Sequence, residues 1–302
     1  MQLKKIKLLF ITIIFFLLLN SCTKELISEN KSVQIYLQNK TLILNALKVI
    51  LYRNIVYSGI DQGKTVLNVF DFDHTLADTL TIVPVKGKDG NIRKIDSKCL
   101  GLKEGEIPDY SVFTREEVYD TVPVNPSLFR LQDAVKQKDV LNFVITARSD
   151  VTTYNALYEY LAVHKAAPNG IYAMNSEIMN RLLWEQIKLP SDLKKLPEGL
   201  KKPLLIAGLI DLINQKGSQV KLVRYHEDTD DYLKEGLKFL PIQFSKIRFE
   251  WYDYIRRKTL IDFEYFEDFF AFSENGISYR SNGSVFLPEE ISKYDSKDCP
   301  VQ

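Results

Sequence analysis

Between Ser32 and about Val56 the apolar residues recur three and four apart, with Leu42, Ile43, Ala46, Leu47, Ile50 and Leu51 on one side of a 3.6-residue period. That spacing predicts an amphipathic helix. "GIDQGK" breaks it. "TVLNVFD", residues 65–71, and "VLNFVIT", 140–146, are then apolar on both faces, the pattern of strands buried inside a parallel sheet. "QVKLVRYHED", 219–228, reads as a further strand ending in acids, "GIYAMN" as a short one and "KIRFEWYDYI" as another. Helical stretches separate them. One starts at Asn125-Pro126 and runs to about Lys138, and "SDVTTYNALYEYLAVH" has Ser149 or Asp150 near its start. "KKPLLIAGLIDLINQKG" carries proline in its first turn and glycine at its end, and a short helix follows from about Asp230 to Phe239. Strands alternating with helices predict an α/β fold built on an open, mostly parallel sheet.

Two segments depart from this alternation. Between about 78 and 122, "TIVPVKGKDGNIRKID" reads as a hairpin turning at Asp89-Gly90, and "GLKEGEIPDYSVF" reads as loop. We read 78–122 as an insertion outside the main sheet, lying over the crevice at its edge. From 259 to 302 the chain is rich in aromatics with "SENG" and "SNG" turns, a terminal hairpin or add-on.

The first 22 residues form a third pattern. Lys4, Lys5 and Lys7 precede an unbroken apolar run from Leu8 to Leu19. The run is shorter than the roughly 20 residues that span a bilayer, and it fits an export signal. It ends "LNSC", which resembles a bacterial lipobox. In such signals the peptide is removed and the cysteine, here Cys22, carries lipid. Asn20 is not the commonest residue at its place, and an uncleaved anchor helix or a plain secretory signal are the competing readings. The resulting organisation is a signal peptide (1–22), a tether and N-terminal helix (23–64), a main domain (65–258) holding the insertion, and the aromatic extension. The expected location is the cell envelope, with a membrane-anchored lipoprotein facing the periplasm or the exterior.

Composition narrows the chemistry. The 302 residues are 45% hydrophobic and 26% charged, which is the profile of a globular protein. A formal net charge of +1 gives no global field for nucleic acid. Besides Cys22 there are only Cys99 and Cys299, which an oxidising compartment permits to pair. Three scattered histidines, His74, His164 and His226, offer no zinc spacing.

Asp71 and Asp73 interrupt the apolar run "NVFDFDHT" at a spacing of two, which points both carboxylates to one face of a strand. Ligands of open α/β sheets bind beyond the carboxyl ends of the strands. The three main strands end in "DFDHT", "ITAR" and "HED", so two aspartates, Thr146 and a further acid meet at one crevice.

"VFDFDHT", "LNFVIT", "KKP" and "LVRYHED", in that order, resemble the four motifs of the haloacid dehalogenase-like (HAD-like) hydrolase superfamily over roughly residues 65–240. The resemblance implies a three-layer α/β/α, Rossmann-like fold with a small cap inserted after the first strand. It implies a phosphatase in which Asp71 attacks phosphorus and becomes an aspartyl-phosphate. Asp73 protonates the leaving alcohol and then activates water, for which it must carry a proton at working pH. Thr146 holds a phosphoryl oxygen, and a lysine pairs with the same oxygens and steadies Asp71. Lys202, directly before proline at a helix start, is favoured over Lys201. Mg²⁺ is implied as cofactor, on Asp71, the backbone carbonyl of Asp73, and Asp228. Glu227 stands where many relatives have aspartate, and it either replaces Asp228 or acts behind it. Arg148 either touches substrate phosphate or pairs with an acid of the insertion, and His74 receives no catalytic role. Asp230 and Asp231 are read as favouring a helix start, and Trp184 and Trp251 as core.

A lid of this size leaves the crevice open to bulky substrates, and a phosphorylated small molecule is the leading expectation. A weaker likeness to the phosphatase half of polynucleotide kinase-phosphatases runs through "DFDHTLA", "DYSVF", "DTVPVNP" and "ITAR", and keeps nucleotides and nucleic-acid ends as an alternative. A non-catalytic envelope scaffold on the same fold is the alternative from another class, with the aromatic stretch 247–288 as its partner surface.

Overall fold

The computed structural model describes residues 30–53, 60, 62–99, 102–149, 153–258 and 263–294. The expected export signal, Cys22, Asp150 and Cys299 lie outside them. Among the described residues no helix is long and apolar enough to cross a membrane.

The chain runs through α1 (Lys31–Arg53), β1 (Val66–Phe70), β2 (Ala77–Asp78), β3 (Ile82–Lys86), β4 (Ile92–Asp96), β5 (Ile107–Pro108), α2 (Arg115–Tyr119), β6 (Val122–Pro123), α3 (Asn125–Ala134) and β7 (Val140–Thr146). It continues through α4 (Thr153–Val163), β8 (Gly170–Ala173), α5 (Glu177–Met179), α6 (Lys201–Gln215), β9 (Leu222–Glu227), α7 (Asp230–Gln243), β10 (Arg248–Lys258), β11 (Phe263–Glu274), β12 (Ile277–Arg280) and α8 (Pro288–Ile291). The protein is mixed α/β, with a mostly parallel central sheet of seven strands in the order β12-β11-β10-β9-β1-β7-β8. The pairs β8–β7, β7–β1, β1–β9 and β9–β10 are parallel, while β10–β11 and β11–β12 are antiparallel.

Side-chain alternation along the strands builds a core on each face. Leu67, Val69, Leu141, Phe143 and Ile145 pack with α1, α6 and α7 through residues such as Leu47, Leu209 and Leu237. Phe70 and Val144 point to the other face and meet Leu128 and Leu131 of α3 and Leu157 and Leu161 of α4. Each such buried side chain stabilises the fold by about 1.5–3 kcal/mol relative to exposure. The apolar face predicted for the first helix is the one α1 buries against α6, and a Cβ on Gly208 of α6 would lie 2.5 Å from Leu47 Cδ1.

The aromatic tail forms a terminal hairpin, β11–β12, which extends the central sheet. β10 is eleven residues long, but β9 pairs only with Arg248–Asp253. The opposite edge of β10 and its protruding half need hydrogen-bond partners, and β11 supplies them from Phe249 through Lys258. α7 also runs on to Gln243, past its predicted end, because Leu237, Phe239 and Leu240 keep its apolar face buried.

The insertion has its own three-stranded sheet, β4-β3-β5, outside the central one. Val83, Val85 and Ile95 form its small core, with Val112 and Phe113 packed against them. Its hairpin turns at Gly90, whose φ of +83° is open to glycine at no steric cost. At its base β2 and β6 pair through Ala77–Pro123 and Asp78–Val122.

Candidate active site

β1 ends at Phe70, and the N–H of Asp71, the next residue, donates to the His226 carbonyl of β9 at 2.9 Å. The chain then coils tightly. The N–H groups of Leu76 and Ala77 both donate to the Phe72 carbonyl, at 2.8 and 3.0 Å, and His74 takes a φ of +60°. Ser127 of α3 donates its hydroxyl to the Thr75 carbonyl and pins this coil from below. β7 delivers Thr146, β9 delivers Glu227 and Asp228, and the first turn of α6 delivers Lys202.

Lys202 is buried, and its Nζ donates to Asp71 Oδ1 at 2.6 Å and to Glu227 Oε2 at 2.7 Å. Burial acts against its charge, but Asp71 and Glu227 outweigh it and raise the ammonium above its usual range. Lys201 turns away, pairing with Glu198 at 2.8 Å and Asn175 Oδ1 at 3.1 Å over the Trp184 ring. Of the two adjacent lysines, Lys202 is the one in the cluster.

Three carboxylates surround this ammonium, and ligand oxygens of Asp71, Glu227 and Asp228 lie within 4.8 Å of one another. Burial pushes the Asp71 carboxyl well up; Lys202 opposes it, and Glu227, Asp228 and Asp73 add to it. Glu227 is raised for the same first reason, burial. It is nevertheless fully engaged. Oε2 accepts from Lys202 and the Tyr225 hydroxyl, and Oε1 accepts from the N–H groups of Asp228 and Thr229 at 3.2 Å. Burial pushes Asp228 upward too, but Lys98, with His74 and Lys202, holds it below its usual range. Lys98 comes from the insertion: its Nζ donates to Asp228 Oδ2 at 2.8 Å and to the Asp228 carbonyl at 3.1 Å. Thr75 donates its hydroxyl to Asp228 Oδ1 at 3.3 Å.

Asp73 occupies a second compartment beside the first. Arg148 grips both its oxygens, Nε to Oδ2 at 3.1 Å and Nη2 to Oδ1 at 2.7 Å, and Thr146 donates to Oδ2 at 3.3 Å. The same Nη2 donates to Glu117 Oε2 of α2 at 2.8 Å. Burial lowers the charged form of Arg148, and Asp73 and Glu117 more than restore it. Arg148 thus pairs with an acid of the insertion, Glu117, as one of its two readings expects.

The carboxylate of Asp73 therefore faces Arg148 and Thr146, and Glu227 joins Asp71 and Asp228 in the compact triad. Thr146 meets Asp73 directly. Lys98 and Glu117 are contacts that no sequence pattern flags, because each bridges an insertion residue to a strand tip across long stretches of chain. His74 fastens the coil to the insertion, with Nε2 2.7 Å from Ser97 Oγ and Nδ1 3.2 Å from Asp78 Oδ1. His226 stacks between Phe70 and Tyr252 at 4.1 and 4.6 Å, and burial keeps its ring well below the usual histidine range, hence neutral. Trp251 is buried core and Trp184 packs at its margin. Asp230 and Asp231 open α7, where carboxylates favour the helix dipole.

Five carboxylates thus pair with three cations in three groups: Lys202 with Asp71 and Glu227, Arg148 with Asp73 and Glu117, and Lys98 with Asp228. Compared with family models, with curated proteins and with solved structures, the chain matches none.

Proposed function

We propose that the protein is a phosphate monoester hydrolase of HAD-like type, working through an aspartyl-phosphate on a three-layer α/β/α, Rossmann-like fold. The observation that carries the reading is the meeting of Asp71, Lys202, Glu227 and Asp228 at the carboxyl ends of β1 and β9 and the start of α6, with Asp73 and Thr146 alongside. The donor set of the triad is three hard carboxylates without nitrogen or sulfur, which suits Mg²⁺. Asp71 and Asp228 would hold it, with the Asp73 backbone carbonyl as a further ligand, and Glu227, whose oxygens already accept four hydrogen bonds, would stand behind them holding Lys202. When bound, the ion supplies charge neutralisation for the carboxylates and an incoming phosphate.

The residues divide the work as follows. Lys202 binds Oδ1 of Asp71 and keeps the side chain aimed, which leaves Oδ2 to attack phosphorus. The ester P–O bond breaks as the Asp71 O–P bond forms. Asp73 gives its proton to the departing alkoxide, and later takes one from the water that hydrolyses the aspartyl-phosphate. For this Arg148 has to leave the two oxygens of Asp73 that it grips. A phosphate dianion offers its guanidinium an equivalent two-point partner. Thr146 lies close enough to Asp73 to serve both that carboxylate and a phosphoryl oxygen.

Residues 1–22 fit an export signal, and lipid on Cys22 would anchor the enzyme at the cell envelope with a phosphorylated small molecule as substrate. Labelled fatty acid should mark the wild type and not Cys22→Ser. For the activity, the purified protein with Mg²⁺ is expected to hydrolyse p-nitrophenyl phosphate and Asp71→Asn to be inert. Equal inertness of both proteins across a broad phosphate panel would favour a binding or scaffold role instead.

A further inference from the structure

Resting on the cation site proposed above, we propose that Lys98 is a tethered counter-ion that a divalent cation must displace from Asp228, so that cation binding and the position of the insertion are linked. Lys98 follows β4 of the insertion, and its side chain is 3% exposed. It reaches out of the insertion into the acid cluster, onto the carboxylate oxygen of Asp228 and, at 3.3 Å, the carbonyl of Tyr254 in β10. Asp228 is also one corner of the carboxylate triad. A cation held there would share that carboxylate with an ammonium 2.8 Å away from it. Two like charges on one carboxylate repel, so each weakens the other's hold.

The insertion feels this competition because Lys98 is one of its few buried charged ties to the main domain. Others among the described residues run through Glu117 to Arg148, through Asp78 and Asp96 to Arg256, and through Asp78 to His74. Releasing Lys98 removes one of these and leaves the rest. By reciprocity, whatever lifts the insertion tightens the cation, by the same factor.

The test is direct Mn²⁺ binding to the full chain, followed by the paramagnetic signal of the free ion, without any turnover. Lys98→Met is expected to bind Mn²⁺ about tenfold more tightly than the wild type. An unchanged or weaker affinity in Lys98→Met would overturn the proposal, because a lysine that merely orients Asp228 makes the opposite prediction. If the wild type binds Mn²⁺ and Lys98→Met matches it, the inference falls and the phosphatase reading stands. If neither binds, both fall. A second measurement needs no variant. Hydrogen exchange of residues 82–98 in the wild type should quicken when Mn²⁺ is added, and unaltered protection there would equally overturn the linkage.

Discussion

Nζ of Lys202 lies 2.6 Å from Oδ1 of Asp71, joining residues 131 positions apart in a buried ion pair. Removing the cation strands two buried carboxylates, Asp71 and Glu227. Lys202→Met is therefore expected to lose about 3–5 kcal/mol of stability together with phosphatase activity. Lys201→Met, which breaks only partly exposed contacts, should lose less than about 1 kcal/mol. Urea unfolding and kcat/KM on the two variants separate the adjacent lysines; equal effects would contradict the geometry.

Asp71→Asn removes a charge that burial already disfavours. Its stability should equal or exceed that of the wild type, while kcat falls about a thousandfold or more. Loss of activity through unfolding would show as a lowered melting temperature. Chelation of divalent ions should abolish wild-type turnover, with Mg²⁺ restoring it.

Arg148 grips Asp73 with a planar fork that lysine lacks. Arg148→Lys is expected to lower kcat/KM about a hundredfold, with the larger share in KM if the guanidinium passes from Asp73 to phosphate. Glu117→Gln loosens the same arginine from the insertion, and should leave KM unchanged or lower. A raised KM in Glu117→Gln would argue that Arg148 never leaves the carboxylates.

The insertion's base carries a measurable pH signature. Burial pushes Asp78 upward, but His74, the Tyr265 hydroxyl and the Leu80 N–H outweigh it and hold its carboxyl at about 2, below the ordinary 3.8. A carboxyl depressed in the folded state binds its proton more weakly than the unfolded chain does. Its stabilisation is therefore complete above about pH 4 and disappears as the pH falls through about 2. The stability of Asp78→Asn should fall less steeply than that of the wild type between pH 4 and 2. Parallel acid-unfolding curves would place the responsible group elsewhere.

A Cβ on Gly236 of α7 would meet Trp251 Cζ3 of β10 at 2.7 Å. Alanine gains about 1 kcal/mol in helix propensity, but overpacking against a buried indole costs about 1–3 kcal/mol. Gly236→Ala should be net destabilised, with a shifted tryptophan emission. A stabilised variant would mean that α7 slides freely on the sheet.

The tips of β1 and β7 are legible in the sequence because strands buried on both faces leave short apolar runs, and polar chemistry begins where those runs stop. The acids closing "LVRYHED" mark the tip of β9 in the same way. The lysine–proline start of α6 is legible for a related reason: proline fits a first helical turn, which places its neighbour at the sheet's edge. What is hidden is pairing. Nothing local distinguishes Lys98 from the other lysines of the insertion, since its partner Asp228 is 130 positions away. Glu227 and Asp228 are adjacent acids in the sequence, and only distant partners, Lys202 and the Tyr225 hydroxyl on Glu227, and Lys98 and Thr75 on Asp228, give the two different surroundings. The tail's place in the sheet is hidden too, because alternating aromatics mark a strand without saying which edge it completes.

The two ends of the insertion meet where β2 and β6 pair, only a few positions beyond Asp73, and Asp73 itself bridges to Ala77. A segment that leaves and rejoins the fold through adjacent doors is exchangeable. Grafting a different loop between Asp78 and Val122 need not disturb the central sheet. Any such graft would nevertheless arrive without Lys98 and Glu117, and would retune the charges of the crevice even where it left its shape alone.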